Sequence, residues 1–219
     1  KISIGTAQFG LEYGIANKGK KVRIEQVSKI LNSAYDKGIR KVDTASSYGD
    51  ADLVLGSIGL QDWEVSTKIK IDIQNNNNVE EQIENEITKS LSNLKIDYFH
   101  NLFLHTQTDL LDEKNEQIFE SLQKFKKQRF FLNYGVSFYN PKILKLTTNK
   151  YSLDTIQVPI NILDRRFIPL LKELKNKKDI IFIQGRSIFL QGLLLMKRNE
   201  RMHKFSKWNN IFDKFDRWN

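Results

Sequence analysis

Four side chains in the first half of this sequence could together deliver a proton to a carbonyl oxygen. These candidate catalytic residues are Asp43, Tyr48, Lys68 and His105. Reducing a carbonyl needs hydride at carbon and a proton at oxygen. A tyrosine hydroxyl can supply the proton, although its ordinary pKa of ~10 is high for work near neutral pH. A lysine ammonium beside it favours phenolate and lowers that value. A carboxylate paired with the lysine keeps the ammonium charged and in place. A histidine at the same mouth can hydrogen-bond the carbonyl oxygen and orient the substrate. On this reading Asp43 holds Lys68, Lys68 tunes Tyr48, and His105 aims the substrate. Taken singly, each has a structural reading: a turn cap, a rim aromatic, a solvated lysine and a satisfied strand-end histidine.

The stretch "VDTASSYGD" shows what must position them. A short apolar run ends in Asp43, and Tyr48 follows five residues later among small residues. That separation is too large for one helical turn. It suits a strand that stops at Asp43 and a loop that folds over the strand's end. The rest of the chain repeats the theme. Strand-like runs "KISIG", "KVD", "WEVSTK", "YFHNLFLH", "FFLNYGVS", "DTIQVPI" and "DIIFIQG" alternate with helical periods. "IEQVSKILNSAY" places Ile24, Val27, Ile30, Leu31, Ala34 and Tyr35 on one face, and Gly38 stops it. "DADLVLGSI" reads as a short helix capped by Asp50. "VEEQIENEITKSLSNL" is the clearest helix; others fall over Glu116–Lys127, from Pro141 and near Leu170–Leu174.

Such strict alternation implies parallel strands joined by right-handed crossovers. Polar or special residues end almost every strand: Thr6, Asp43, Lys68, His105, Ser137, Gln157 and Arg186. In a (β/α)8 TIM barrel those ends converge on one mouth. A doubly wound sheet is the alternative, but "GTAQFGLEYG" lacks the glycine fingerprint of its first turn. The last strand-helix unit is apparently lacking. After "IFLQGLLL" comes "FSKWNNIFDKFDRWN", whose Phe205, Trp208, Ile211, Phe212, Phe215 and Trp218 form one stripe of an amphipathic helix. The expectation is a single barrel domain over 1–219, incomplete at its carboxyl end.

Composition narrows the chemistry. The 219 residues suit one large domain and include no cysteine, which removes disulfides, thiolate metal sites and a cysteine nucleophile. Three histidines argue against a multi-histidine metal site. No apolar run approaches the ~18 residues of a membrane span. A cytoplasmic setting is expected from the cysteine-free composition. The net charge of +9 is spread along the chain as a lysine-rich surface, which weighs against nucleic-acid binding and favours anionic ligands. "NNNN" at 75–78 reads as a loop.

"GTAQFG", "VDTASSYGDADLVLG", "STK", "LFLH", "YGVS" and "QGRSIFLQGLL" together resemble the aldo-keto reductase family, from Gly5 to about Leu194. The resemblance implies a (β/α)8 barrel and reduction of an aldehyde or ketone, including sugars, by hydride from NADPH or NADH. It implies no metal, a small-molecule carbonyl substrate and Tyr48 as general acid. Gly5 and Thr6 match the first-strand segment near the cofactor. Ser137 and Gln157 match residues that bind the nicotinamide carboxamide, whereas Phe138 stands where an Asn often follows. Arg186 occupies the position of a stacking Tyr; it can stack, meet a phosphate or serve as a surface ion pair. Ser187 falls near the pyrophosphate. Phe9, Leu11, Tyr13 and Phe138 are candidates for a substrate wall or for rim packing. The competing reading is a non-catalytic regulatory protein that senses the cofactor on the same scaffold.

Overall fold

Each of the first six strands is followed by helix, after which the chain re-enters the sheet from the same end. The computed structural model describes residues 1–17, 20–72, 78–105, 110, 115–175 and 182–218. The strands are β1 (Ile4–Gly5), β2 (Lys41–Asp43), β3 (Glu64–Ile69), β4 (Phe99–Leu104), β5 (Phe131–Ser137), β6 (Thr155–Pro159) and β7 (Phe182–Arg186). The helices are α1 (Ala7–Gly10), α2 (Ile24–Asp36), α3 (Ala51–Ile58), α4 (Val79–Leu94), α5 (Asn115–Lys127), α6 (Pro141–Lys150), α7 (Ile168–Leu174) and α8 (Asn209–Trp218). All strand pairs are parallel and lie in chain order, β1 to β7.

The sheet curls strongly. β2 and β6 are four positions apart, which in a flat sheet is about 19 Å at the usual strand spacing. Yet the Gln157 amide on β6 donates to Asp43 on β2 at 2.9 Å. Only a sheet rolled toward closure brings those side chains together. Seven strands thus form a curled, incomplete (β/α)8 barrel, with no eighth strand among the described residues.

α2 to α7 form where the apolar period predicts, because each buries one stripe against the sheet. The short α1 had no such signal, and the stripe expected as one helix over 205–218 begins as a 3-10 helix, His203–Trp208, before α8. On α4, Val79, Ile83, Ile87, Leu91 and Leu94 are buried, and the Asn78 side chain accepts from the Glu80 amide as N-cap. That leaves two expectations untested, since 75–77 of the asparagine run and 179–181 of the seventh strand lie outside the described residues. α6 opens on Pro141 behind an Asn140 cap. α3 differs from expectation. Asp50 stands at its N-cap but makes no side-chain cap bond; its carboxylate pairs with Lys21 instead. An ion-pair partner delivered by another loop outcompetes the local amide.

The main core lies between the sheet and the helices, with Val42, Ile69, Ile83, Ile87, Phe99 and Leu104 among its fully buried members. The aromatic stripe of the chain's end does not join it. Phe212 packs with Leu193 and Leu194 in a separate small cluster, while Trp218 remains 74% exposed. No helix among the described residues is long and apolar enough to cross a membrane.

Candidate functional site

The side chains at the carboxyl ends of the strands meet in one polar network. Lys68 points into the barrel from β3 and is 1% exposed. Its ammonium donates to Asp43 Oδ2 at 2.6 Å and to the Thr44 carbonyl at 2.8 Å. Burial pulls the Lys68 pKa down, while the charge of Asp43 and its hydrogen bond act upward. A fully buried ammonium survives only because a carboxylate and a carbonyl replace its water.

Tyr48 and His105 lie beside this pair. The Lys68 nitrogen is 5.2 Å from the centroid of the Tyr48 ring. The Tyr48 and His105 rings meet edge to face at 5.8 Å between centroids. Ser47 Oγ and His105 Nδ1 share a hydrogen bond of 3.0 Å. Burial foremost, with the charges of Lys68 and Arg186, drops the imidazole pKa to about 4. His105 is therefore neutral near neutral pH and able to hydrogen-bond an oxygen.

The expected acidification of Tyr48 by Lys68 is not what the geometry gives. Burial foremost, then the Asp43 carboxylate, push the phenol above its ordinary value, and Arg186 is the cation that opposes them. Desolvation of a phenolate and the nearby carboxylate outweigh an ammonium that already spends its charge on Asp43.

The loop bearing Tyr48 is held by close backbone packing. A Cβ on Gly10 would lie 1.8 Å from the Tyr48 carbonyl oxygen and 2.4 Å from the Ala51 nitrogen. Gly49 has φ +60° and faces the Gly10 carbonyl. Two glycines let α1 and the β2–α3 loop press together. Beneath the loop, the buried Asp52 carboxylate accepts from Thr44 at 2.8 Å and Ser90 at 2.6 Å.

The proposed cofactor residues divide into three groups. Ser137, Gln157 and Arg186 join the network. Ser137 Oγ donates to Gln157 Oε1 at 3.0 Å and accepts from Arg186 Nε at 3.2 Å. Arg186 also donates to the Phe138 carbonyl at 3.3 Å and stacks on Tyr139, its Cζ 3.9 Å from the ring centroid. Its hydrogen-bond partners among the described residues are neutral oxygens. Thr6 is buried, and its hydroxyl donates to the Asp43 backbone carbonyl at 3.1 Å, so it fastens β1 to the site residue. Gly5 brings no side chain to the cluster, and Ser187 touches only its edge. A Cβ on Gly5 would meet nothing within 4 Å. Ser187, at φ +59°, accepts from Arg186 Nη1 at 3.3 Å and marks where the chain leaves β7.

Of the four candidates for a substrate wall, Phe9 and Phe138 are core residues at 3% and 0% exposure. Both belong to the main hydrophobic core. Tyr13 is exposed. Two residues not singled out from the sequence, Gln184 and Tyr139, touch the network. For Gln184 a signal existed: a polar side chain inside the apolar run of β7, two residues before Arg186 and so on the same face. It donates to Asp43 Oδ1 at 3.1 Å.

Comparison with known proteins agrees with this architecture. A model described as the Aldo/keto reductase family matches residues 1–217. An uncharacterized oxidoreductase, YqkF, of Bacillus subtilis (strain 168) is 24% identical over 228 residues, covering 95% of this chain and 71% of its own. The glycerol dehydrogenase AKR11B4 of Gluconobacter oxydans superposes with a TM-score of 0.70 at 22% identity, over 97% of this chain and 70% of that one. The Bombyx mori aldo-keto reductase AKR2E4, solved in complex with NADP, gives 0.63 at 18% identity, over 85% and 62%.

Proposed function

The chain belongs to the aldo/keto reductase family, and from that premise we propose that it reduces an aldehyde or ketone with Tyr48 as the proton donor. The observation that supports this most is the buried Lys68–Asp43 pair beside the rings of Tyr48 and His105. In this reading His105, neutral at its Nδ1–Ser47 bond, donates to the substrate oxygen and fixes its direction. Tyr48 stays protonated through neutral pH, since burial and Asp43 raise its pKa. Its proton moves when charge develops on the substrate oxygen, because an alkoxide is a stronger base than a phenolate. Arg186, the cation that opposes the rise in the phenol's pKa, stabilises the phenolate left behind.

The donor set at the mouth fits a nicotinamide dinucleotide, NADPH or NADH. Ser137 and Gln157 offer a hydroxyl and an amide that match the donor and acceptor of a carboxamide. Arg186 presents a flat cation that can lie on a ring or meet a phosphate, with Ser187 next to it. Gly5 and Thr6 would line the near side. When bound, the reduced dinucleotide supplies the hydride. Sugars are among the carbonyl compounds to be assayed.

Tyr48→Phe tests the assignment. Loss of the proton donor should lower kcat by about a hundred-fold or more. NADPH binding, followed by fluorescence quenching, should be nearly unchanged. Wild-type turnover by this variant would remove Tyr48 from the role.

A further inference from the structure

Asp43 Oδ1 accepts from two side-chain amides, one for each of its lone pairs. Gln157 and Gln184 are register partners on the neighbouring strands β6 and β7, so their side chains leave the same face of the sheet together. Both converge on that oxygen, at 2.9 and 3.1 Å. The other oxygen, Oδ2, holds the Lys68 ammonium at 2.6 Å. Gln157 is shared: its Oε1 accepts from Ser137, which in turn accepts from Arg186 at the barrel mouth. Anything that engages Ser137 or Gln157 from the mouth must pull on the Gln157–Asp43 bond. Gln184 shares β7 with Arg186 but is no link of that chain: its amide goes to Asp43 directly.

We propose that Gln184 is a positioning residue: it fixes the Asp43 carboxylate, and through it Lys68, when Gln157 turns toward a bound dinucleotide. The proposal rests on the reductase reading above. A carboxylate gripped at one oxygen only can rotate about its Cβ–Cγ bond. The second grip holds Oδ2 against the ammonium and keeps Lys68 beside Tyr48. The charged groups around this amide are Asp43 on β2, Lys68 on β3 and Arg186 on its own strand. Lys41, over the Phe182 ring, lies at the opposite end of β2.

The test uses Gln184→Met, which keeps shape and removes the donor, and Gln184→Glu, which donates only when protonated. With NADPH and a test aldehyde, Gln184→Met should lower kcat about ten-fold, in line with losing a hydrogen bond to a charged group, and leave the aldehyde KM within about two-fold. Gln184→Glu should approach wild-type kcat at about pH 6. It should fall away toward about pH 9, as a second carboxylate forms against Asp43. A residue that merely fills space would give a variant-to-wild-type ratio flat with pH. A Gln184→Met kcat equal to that of wild type, or a flat ratio for Gln184→Glu, overturns the proposal. Should the wild type reduce no carbonyl, the reductase reading falls. Urea unfolding then decides whether Gln184 grips Asp43. Gln184→Met must cost less stability in an Asp43→Ala background than alone, and additive losses would refute the contact.

Discussion

Asp43→Ala strands a charge in the barrel. The Lys68 side chain is 1% exposed, and its Nζ bonds Asp43 Oδ2 and the Thr44 carbonyl. Without the carboxylate, the ammonium keeps one neutral carbonyl, and both glutamine amides lose their acceptor. Breaking a buried pair by removing one partner costs about 3–5 kcal/mol. The Asp43 side chain is 13% exposed, so water can enter beside it. That favours the lower end, about 3 kcal/mol. The sign of the pH dependence follows from linkage. An unpaired, buried ammonium has a folded-state pKa further below the ordinary lysine value. Between those two values the unfolded chain binds more protons, so the variant's stability rises with pH. Its deficit against wild type should therefore be smaller at about pH 9 than at about pH 7. Lys68→Met leaves Asp43 with its two amide donors, and the double variant Asp43→Ala/Lys68→Met carries no unpaired charge. The double variant should be more stable than Asp43→Ala alone. Urea unfolding followed by tryptophan fluorescence measures all three. An Asp43→Ala loss under about 1 kcal/mol, or a double variant weaker than the single, would refute the buried-pair argument.

Other outcomes follow from the same geometry. His105 has an ordinary pKa of 6.5 and a folded value of about 4, so its contribution to stability is complete above 6.5 and lost as pH falls toward 4. Its ring is only half-buried, which trims the contribution to about 1–3 kcal/mol. Comparing acid unfolding of wild type and His105→Gln checks it, and the variant should show the weaker dependence in that window. The rate of carbonyl reduction should be flat through neutral pH, since Tyr48 stays protonated and His105 neutral there. Any alkaline fall belongs to Lys68, whose pKa burial lowers; an acid limb centred near 6.5 would contradict this. Gly10→Ala would drive a methyl into the Tyr48 carbonyl oxygen. It should cost about 1–3 kcal/mol in urea unfolding and lower kcat/KM by displacing the Tyr48 loop.

The order of elements was legible in the sequence because it depends on local periodicity. Apolar stripes such as Val79, Ile83, Ile87, Leu91 and Leu94 are written at helical spacing, and the strand-ending residues Asp43, Ser137 and Arg186 stand where apolar runs stop. Alternation then leaves few ways to fold, and parallel strands in chain order send those residues to one end. The proximity of Asp43, Tyr48, Lys68 and His105 follows from that register.

What sequence could not decide was which partner each group takes. Asp50 caps α3 by position yet bonds Lys21 from another loop, and Phe138, next to a mouth serine, is buried behind it. The direction of the Tyr48 shift depends on burial and on the nearness of the Asp43 carboxylate, both set by packing. Gln184 reaches Asp43 across 141 positions of chain because the sheet curls. Periodicity fixes which face a residue occupies, since neighbours in sequence share one backbone. Distances between residues far apart in the chain, and the electrostatics they control, exist only once the sheet has rolled into a barrel.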